Sequence, residues 1–238
     1  MVEPSGPINV GSVARLCENF EINDLRLVRP QCDPLDPDAI KMAVRGKSLL
    51  RKAKTFNSLI DAISDCGFII CTCGRKDHGN IKLHEMDTVK QNLINLAKGA
   101  PIGLVFGRED RGLTNKELLL AHKVLSIKTN SNYPSLNLSH AVAIVIYELF
   151  HDQSINLETI ETHEELQLAS PRKINDFLED TESLLLEIGF LLKHTADARM
   201  AKLRTLIQKS QVTTNEVSLI RGILRQVRWA IDNNQPKP

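Results

Sequence analysis

An α/β domain on a mostly parallel sheet, followed by a purely helical segment, is the architecture this sequence predicts. Three observations carry it. Short branched-apolar runs alternate with helix-patterned stretches over the first 150 residues, an acidic stretch interrupts the pattern near His151, and only helical stripes follow Pro171. With 238 residues, 42% hydrophobic and 25% charged, the chain has material for one sizeable core and a smaller appendage. The same figures exclude collagen-like, coiled-coil and wholly disordered classes.

The first helical pattern opens at Gly11, where Val13, Leu16, Cys17 and Phe20 fall on one face. Residues 25–28, 68–72, 102–106 and 124–127 read as strands, rich in branched side chains and closed by Pro, Gly or Asn. Residues 138–149 are apolar almost all round, which predicts a helix buried on most sides. This alternation implies parallel strands with helices on both faces.

Residues 152–171 hold five acidic side chains and no Lys or Arg, the composition of a solvated linker. Beyond it, Phe177, Leu184, Leu185 and Ile188 make one helical stripe, and Val217, Ile220, Leu224, Val227 and Ile231 another. Both stripes are read as helix-on-helix packing. Residues 193–228 then gather eight Lys or Arg against Asp197 and Glu216, although the whole chain carries a net charge of only +1. Such a run is either a solvated face or a seat for a polyanion, and the asymmetry after an acidic linker favours the polyanion. Aromatics at 4% argue against an array of base-stacking platforms.

Met1-Val2-Glu3-Pro4 has no basic start and no apolar run after it, so no secretion signal is read. The densest apolar run, 141–147, is too short to cross a bilayer. The five cysteines are odd in number, and Cys71-Thr-Cys73 lacks metal or redox spacing. A cytoplasmic protein with reduced thiols, no metal and no membrane contact is the expectation.

Familiar phosphate and catalytic motifs fail. Gly107 and Gly112 have Walker spacing, but Leu113 stands where a lysine is needed, and Gly6 with Gly11 fails likewise at Ser12. Gly-x-Gly-x-x-Gly, Gly-x-Ser-x-Gly and His-Glu-x-x-His do not occur, and His78 and His84 show no ligand spacing. Three segments at strand-to-helix junctions remain: 3–15, 104–115 and 133–139. Open α/β sheets bind ligands beyond the carboxyl ends of their strands, where such turns converge. Singly, each has a plain structural meaning: Asn9 and Asn137 as helix caps, Gly107 and Gly112 as turn residues, Arg15 as a surface charge.

In this order they resemble the SPOUT class of RNA methyltransferases, and within it the TrmJ family of tRNA ribose methyltransferases. Asn9-x-Gly11-x-x-x-Arg15 resembles the first motif of that family. Leu104-Val-Phe-Gly-Arg-Glu109 with Gly112-Leu-Thr-Asn115 resembles the second, and Ser135-Leu-Asn-Leu138 before the apolar helix resembles the third. The tail is similar too, in Ile188-Gly-Phe190, Lys202-Leu-Arg-Thr-Leu206 and Ile220-Arg-Gly-Ile-Leu224.

The resemblance implies a SPOUT fold, α/β with a C-terminal trefoil knot, plus a small all-α extension. It divides the chain into a methyltransferase domain at 1–151, a linker at 152–171 and a helical domain at 172–238 that binds tRNA or supports the dimer. It implies S-adenosylmethionine as cofactor, a homodimer in which each site borrows from its neighbour, and 2′-O-methylation of cytidine or uridine in tRNA, at the first nucleotide of the anticodon loop. The alternatives are a ribosomal-RNA ribose methyltransferase of the same class and a non-catalytic RNA-binding paralogue.

Carried over residue by residue, the cofactor is expected against Thr72, Cys73, Gly74, Leu104, Gly107, Ile127, Ser135, Leu136, Asn137 and Leu138. Arg15, Asn9 and Glu109 are the catalytic candidates: Arg15 gripping a phosphate and stabilising the developing alkoxide, Asn9 holding the loop or the ribose, and Glu109 orienting Arg15 or the substrate. Arg15, Tyr133, Lys202, Arg204 and Arg221 are the RNA-binding candidates; for Tyr133, a packed core edge is the competing reading. Family members carry several residues ahead of the segment that opens here at Val2-Glu3-Pro4. The first strand is therefore expected to be almost absent, and the translation start to lie upstream.

Overall fold

The computed structural model describes residues 1–75, 77–94, 101–130, 132–151 and 168–234. Most of the expected acidic linker, 152–167, lies outside them. Each predicted strand is present within two residues of its expected bounds. β1 (Arg26–Val28) pairs with β2 (Lys54–Phe56), and β3 (Phe68–Thr72), β4 (Leu83–His84), β5 (Ile102–Val105) and β6 (Lys123–Leu125) form a sheet in the order β4-β6-β3-β5. All these ladders are parallel. The central strand β3 is buried along Phe68–Cys71, as a parallel strand covered on both faces must be.

The first three residues join the two sheets. The Val2 N–H donates to the Phe106 carbonyl (2.9 Å), the Val28 N–H donates to the Met1 carbonyl (2.9 Å), and the Glu3 N–H donates to the Val28 carbonyl (2.7 Å). The expected remnant of a first strand is thus one parallel bridge, Val2 to Val28, with Val2 fully buried. Beside it, where β1 and β5 face each other without a ladder, lies an apolar hollow of about 540 Å³.

Helix starts follow local chemistry. α1 (Pro7–Asn19) begins at a proline, four residues before the expected Gly11, because proline presets the helical φ and has no N–H to leave unpaired. Gly11 sits inside α1 against α2 (Pro37–Ala43); a Cβ there would lie 2.1 Å from the Ala39 carbonyl oxygen. The crossing therefore requires glycine. α3 (Lys47–Lys52) packs on α1 and α2, α4 (Leu59–Ala62) on β1 and β2, and α5 (Met86–Ile94) on β6. α6 (Asn115–Leu118) starts in a capping box between Thr114 and Glu117. α7 (Leu138–His151) packs on α1 and α5, with Leu138, Val142, Val145 and Ile146 in the core.

α8 (Pro171–Glu187), α9 (Ala196–Ser210) and α10 (Thr214–Asn234) form a second core around Ala169, Phe177, Leu178, Ile207 and Val217. The predicted stripes hold nearest this core and fade outward: Phe177, Leu184 and Val217 are buried, whereas Ile188 and Val227 are 48% and 40% exposed. His122 ties these helices to the sheet. It is 7% exposed; its Nδ1 accepts the Ile69 N–H (3.0 Å), so its Nε2 carries the proton toward the Ala169 carbonyl (3.2 Å). Burial pushes this imidazole down to about 4, so it is neutral at pH 7. The Gln208 amide adds bonds to the Leu118 and Ala121 carbonyls.

Candidate functional site

The three glycine- and asparagine-rich segments meet at the carboxyl ends of β3, β5 and β6. One chain of hydrogen bonds links them. The Glu109 carboxylate accepts the backbone N–H groups of Ser5 (3.1 Å) and Gly6 (3.1 Å) and the Asn9 side-chain amide (3.1 Å). The Asn137 amide in turn donates to Asn9 Oδ1 (3.0 Å). α1 has no side-chain cap of its own. Glu109 supplies that cap from another loop, placing a negative charge on a helix N-terminus. Burial works to raise the Glu109 carboxyl, but the bonds from Asn9, Ser5 and Gly6 outweigh it and hold the group below its ordinary value. An ionised, fully engaged carboxylate positions neighbours and is a poor proton acceptor.

The turn carrying Glu109 is locked by a buried ion cluster. Arg108, 8% exposed, grips Glu117 with both terminal nitrogens (2.8 and 2.9 Å) and donates from Nε to Glu3 (2.5 Å). The Arg108 hydrogen bond holds the Glu3 carboxyl down at about 2. Arg108 and Gly112 exchange backbone bonds, and a Cβ on Gly107 would lie 2.3 Å from the Gly112 carbonyl carbon. Gly107 is therefore a requirement of the turn as well as a wall of the site.

Below this turn opens a cavity of about 330 Å³, within the range of small-molecule sites. Eight of the ten residues expected against the cofactor line it: Thr72, Cys73, Gly74, Gly107, Ile127, Ser135, Leu136 and Leu138. Two do not. Leu104 lines the hollow between β1 and β5 instead, because it lies upstream of the strand end that opens to the cavity. Asn137 sits behind the lining as the N-cap of α7: its Oδ1 accepts from the Ser139 N–H (2.9 Å) while its amide reaches Asn9. The capping role and the site role coexist in one side chain.

Phe106, within the expected 104–107 stretch, lines the cavity; sequence reasoning missed Arg75, Leu125, Pro134 and Ala141, which also line it. Arg75 directly follows the expected Thr72–Gly74 stretch, so the strand end itself was the usable signal. The other three are apolar and look like ordinary core in sequence.

Arg15 departs from its expected place. It is exposed, does not line the cavity, and makes no hydrogen bond or ion pair with the described residues. Glu109 does not orient it: six residues beyond Asn9, Arg15 lies about 9 Å along the helix axis and on another face. Asn9 is a helical residue and caps nothing. Tyr133 is 78% exposed, which removes the core-edge reading.

The basic tail is thinner than its sequence implies. Arg204 turns inward, where it is half-buried and donates to Asn175 Oδ1 (2.9 Å). Arg221 pairs with Asp180 (2.7 Å) and Arg228 with Glu187 (3.5 Å). The cause is α8, whose acidic face lies against α10 and takes up these charges. Lys202 is exposed and makes no side-chain bond to the described residues.

Comparison with known proteins agrees with this geometry along the chain. Residues 1–147 match the profile of the SpoU rRNA Methylase family, and residues 172–236 match that of the tRNA methyltransferase TrmJ C-terminal domain. The chain is 32% identical over 240 residues to the tRNA (cytidine/uridine-2'-O-)-methyltransferase TrmJ of Escherichia coli strain K12, covering 99% of this chain and 96% of that one. It is 34% identical over 190 residues to the tRNA (cytidine-2'-O-)-methyltransferase TrmJ of Methanocaldococcus jannaschii, covering 77% and 82%. Among solved structures, TrmJ from Z. mobilis ZM4 superposes with a TM-score of 0.81 at 26% identity, covering 95% of this chain and 96% of that one.

Proposed function

We propose that this chain, which belongs to the SpoU rRNA methylase family and within it to the TrmJ tRNA methyltransferases, transfers a methyl group to the ribose 2′-oxygen of cytidine or uridine in tRNA. The observation that carries the reading is the convergence of three separate motifs, through Glu109, Asn9 and Asn137, on one cavity at the strand ends. S-adenosylmethionine supplies an electrophilic methyl on a sulfonium. The residues fit it: Phe106, Leu125, Ile127 and Leu138 give an apolar wall, and the glycine-containing turns leave backbone groups accessible around it. Thr72, Cys73, Gly74, Gly107, Ser135 and Leu136 would hold it.

The remaining task is to position a 2′-hydroxyl and assist loss of its proton. A guanidinium has no acceptor site, so Arg15 acts on charge, holding the neighbouring phosphate and stabilising the developing alkoxide. Because Arg15 stands away from the cavity of its own chain, it serves the cavity of a second copy in a homodimer. Asn9 and Glu109 fix α1 so that Arg15 is presented at one angle. Tyr133 stacks on a nucleotide, and Lys202 with the remaining free cations of residues 193–228 holds the tRNA body. The chain divides into a methyltransferase domain at 1–151 closed by a trefoil knot, a linker at 152–171 and an all-α domain at 172–238. It works in the cytoplasm, on the first nucleotide of the anticodon loop.

The test is transfer of labelled methyl from S-adenosylmethionine to unmodified total RNA, fractionated by size and digested to nucleosides. Label in tRNA as 2′-O-methylcytidine or 2′-O-methyluridine is expected. Label confined to ribosomal RNA would assign a different substrate, and cofactor binding without transfer would mark a protein that only binds.

A further inference from the structure

At the lip of the cavity Arg75 holds a charge that the chain leaves uncompensated. Its two terminal nitrogens are fixed by neutral oxygens, the Asp77 carbonyl (2.7 Å) and Asn115 Oδ1 (2.7 Å), while Nε is buried with no acceptor. No carboxylate of the described residues lies within ion-pair distance of it, whereas Arg108, deeper in the same turn region, has two. A guanidinium carries five donors, so Arg75 keeps three unspent, on a fork whose direction is already set. Such a group is preorganised for an anion.

Its neighbours identify which anion. Within the Gly107–Gly112 turn Arg111 also lines the cavity, and Lys116 follows Asn115 on α6 outside the lining; their side chains are 64% and 85% exposed. Lys116 with Asp197 and Arg111 with Asp110 are exposed pairs of small worth, free to exchange partners, while Arg111 also reaches the largely buried Glu3 at 3.3 Å. Arg75 and Arg111 on the lip, with Lys116 on the adjoining helix, match successive phosphates of an RNA strand better than the single carboxylate of a small cofactor seated against an apolar wall. We propose that Arg75 is a phosphate-binding residue for the substrate RNA, contacting the backbone beside the nucleotide whose ribose enters the cavity. The proposal rests on the tRNA-methyltransferase reading above.

The experiment measures affinity for an unmodified tRNA transcript across a salt series, with wild-type protein, Arg75→Gln, Arg75→Lys and Asn115→Ala, alongside affinity for S-adenosylhomocysteine. Loss of one charge-assisted contact is expected to weaken tRNA binding by Arg75→Gln roughly tenfold. It should also lower the slope of log K against log salt by about 0.7, one single-strand phosphate contact. Affinity for S-adenosylhomocysteine should stay at the wild-type value. Arg75→Lys keeps the charge and should retain the slope, and Asn115→Ala frees the fork and should weaken tRNA binding without changing the slope. An unchanged slope in Arg75→Gln overturns the proposal, as does a fall in S-adenosylhomocysteine affinity matching the fall for tRNA, which would assign Arg75 to the cofactor. Wild-type protein that binds no tRNA would instead sink the reading beneath it.

Discussion

Two regions of this molecule use the same chemical pair, arginine with carboxylate, to opposite effect. In the methyltransferase region Arg108 sits between Glu3 and Glu117, with side-chain exposures of 6%, 14% and 13%, and its bonds to Glu117 are bidentate. In the helical region Arg221 meets Asp180 through one nitrogen, at 39% and 48% exposure. Water screens the second pair and not the first, so the first fixes a turn and the second only trims surface charge. Burial, more than the number of charges, decides where an ion pair organises a site.

Removing one partner from each region sharpens that contrast. Arg108→Ala strips Glu117 of its cation and leaves Glu3 only the exposed Arg29 and Arg111, and is expected to cost about 3 kcal/mol in denaturant unfolding. A loss below about 1 kcal/mol would show that water reaches the cluster. Next in size is the acid response of the joint between the regions. Burial lowers the His122 imidazole to about 4 from an ordinary 6.5. The folded state resists the cation, so this contribution is complete above pH 6.5 and falls as pH drops from 6.5 to 4, by on the order of 3 kcal/mol. Glu3 acts lower: its carboxyl is depressed to about 2 from 4.5, so its stabilisation is complete above pH 4.5 and disappears as pH falls toward 2. Unfolding followed from pH 7 to 4 should therefore slope downward in wild type and flatten in His122→Gln; identical slopes would remove His122 as the cause. Arg221→Ala is expected to change stability by less than about 1 kcal/mol. A larger loss would mean that the helical region depends on its exposed pairs after all.

The same contrast explains what could be read in advance. Strand 68–72 announced itself because burial on both faces demands an unbroken apolar run. Residues 102–106 and 138–149 were legible from equally apolar runs, although β5 is an edge strand with Ile102 exposed and α7, expected to be buried on most sides, buries one stripe and leaves Ile144 and Tyr147 exposed. β2 and β4 did not: three residues with an exposed Lys54–Thr55, and two residues, are too short for any period to register. The motifs carried the site's identity, and the cavity follows them in eight of the ten positions expected against the cofactor. What stayed illegible was partnership across distance. His122 bonds groups 53 and 47 residues away, and nothing in its neighbourhood distinguishes it from a surface histidine. Arg204 and Arg221 read as free cations because their partners, Asn175 and Asp180, lie on another helix. Asn137 read as a cap or a motif residue and is both.

Within this chain the cavity and Arg15 are separate devices, joined through the Glu109–Asn9 link. Arg15→Ala tests that separation most directly, by measuring methyl transfer to tRNA and S-adenosylhomocysteine affinity on the same preparation. Transfer should fall by roughly 10² or more, the usual cost of losing one charge-stabilising group, while cofactor affinity stays at the wild-type value. Parallel loss of both, or transfer that survives the substitution, would contradict the account.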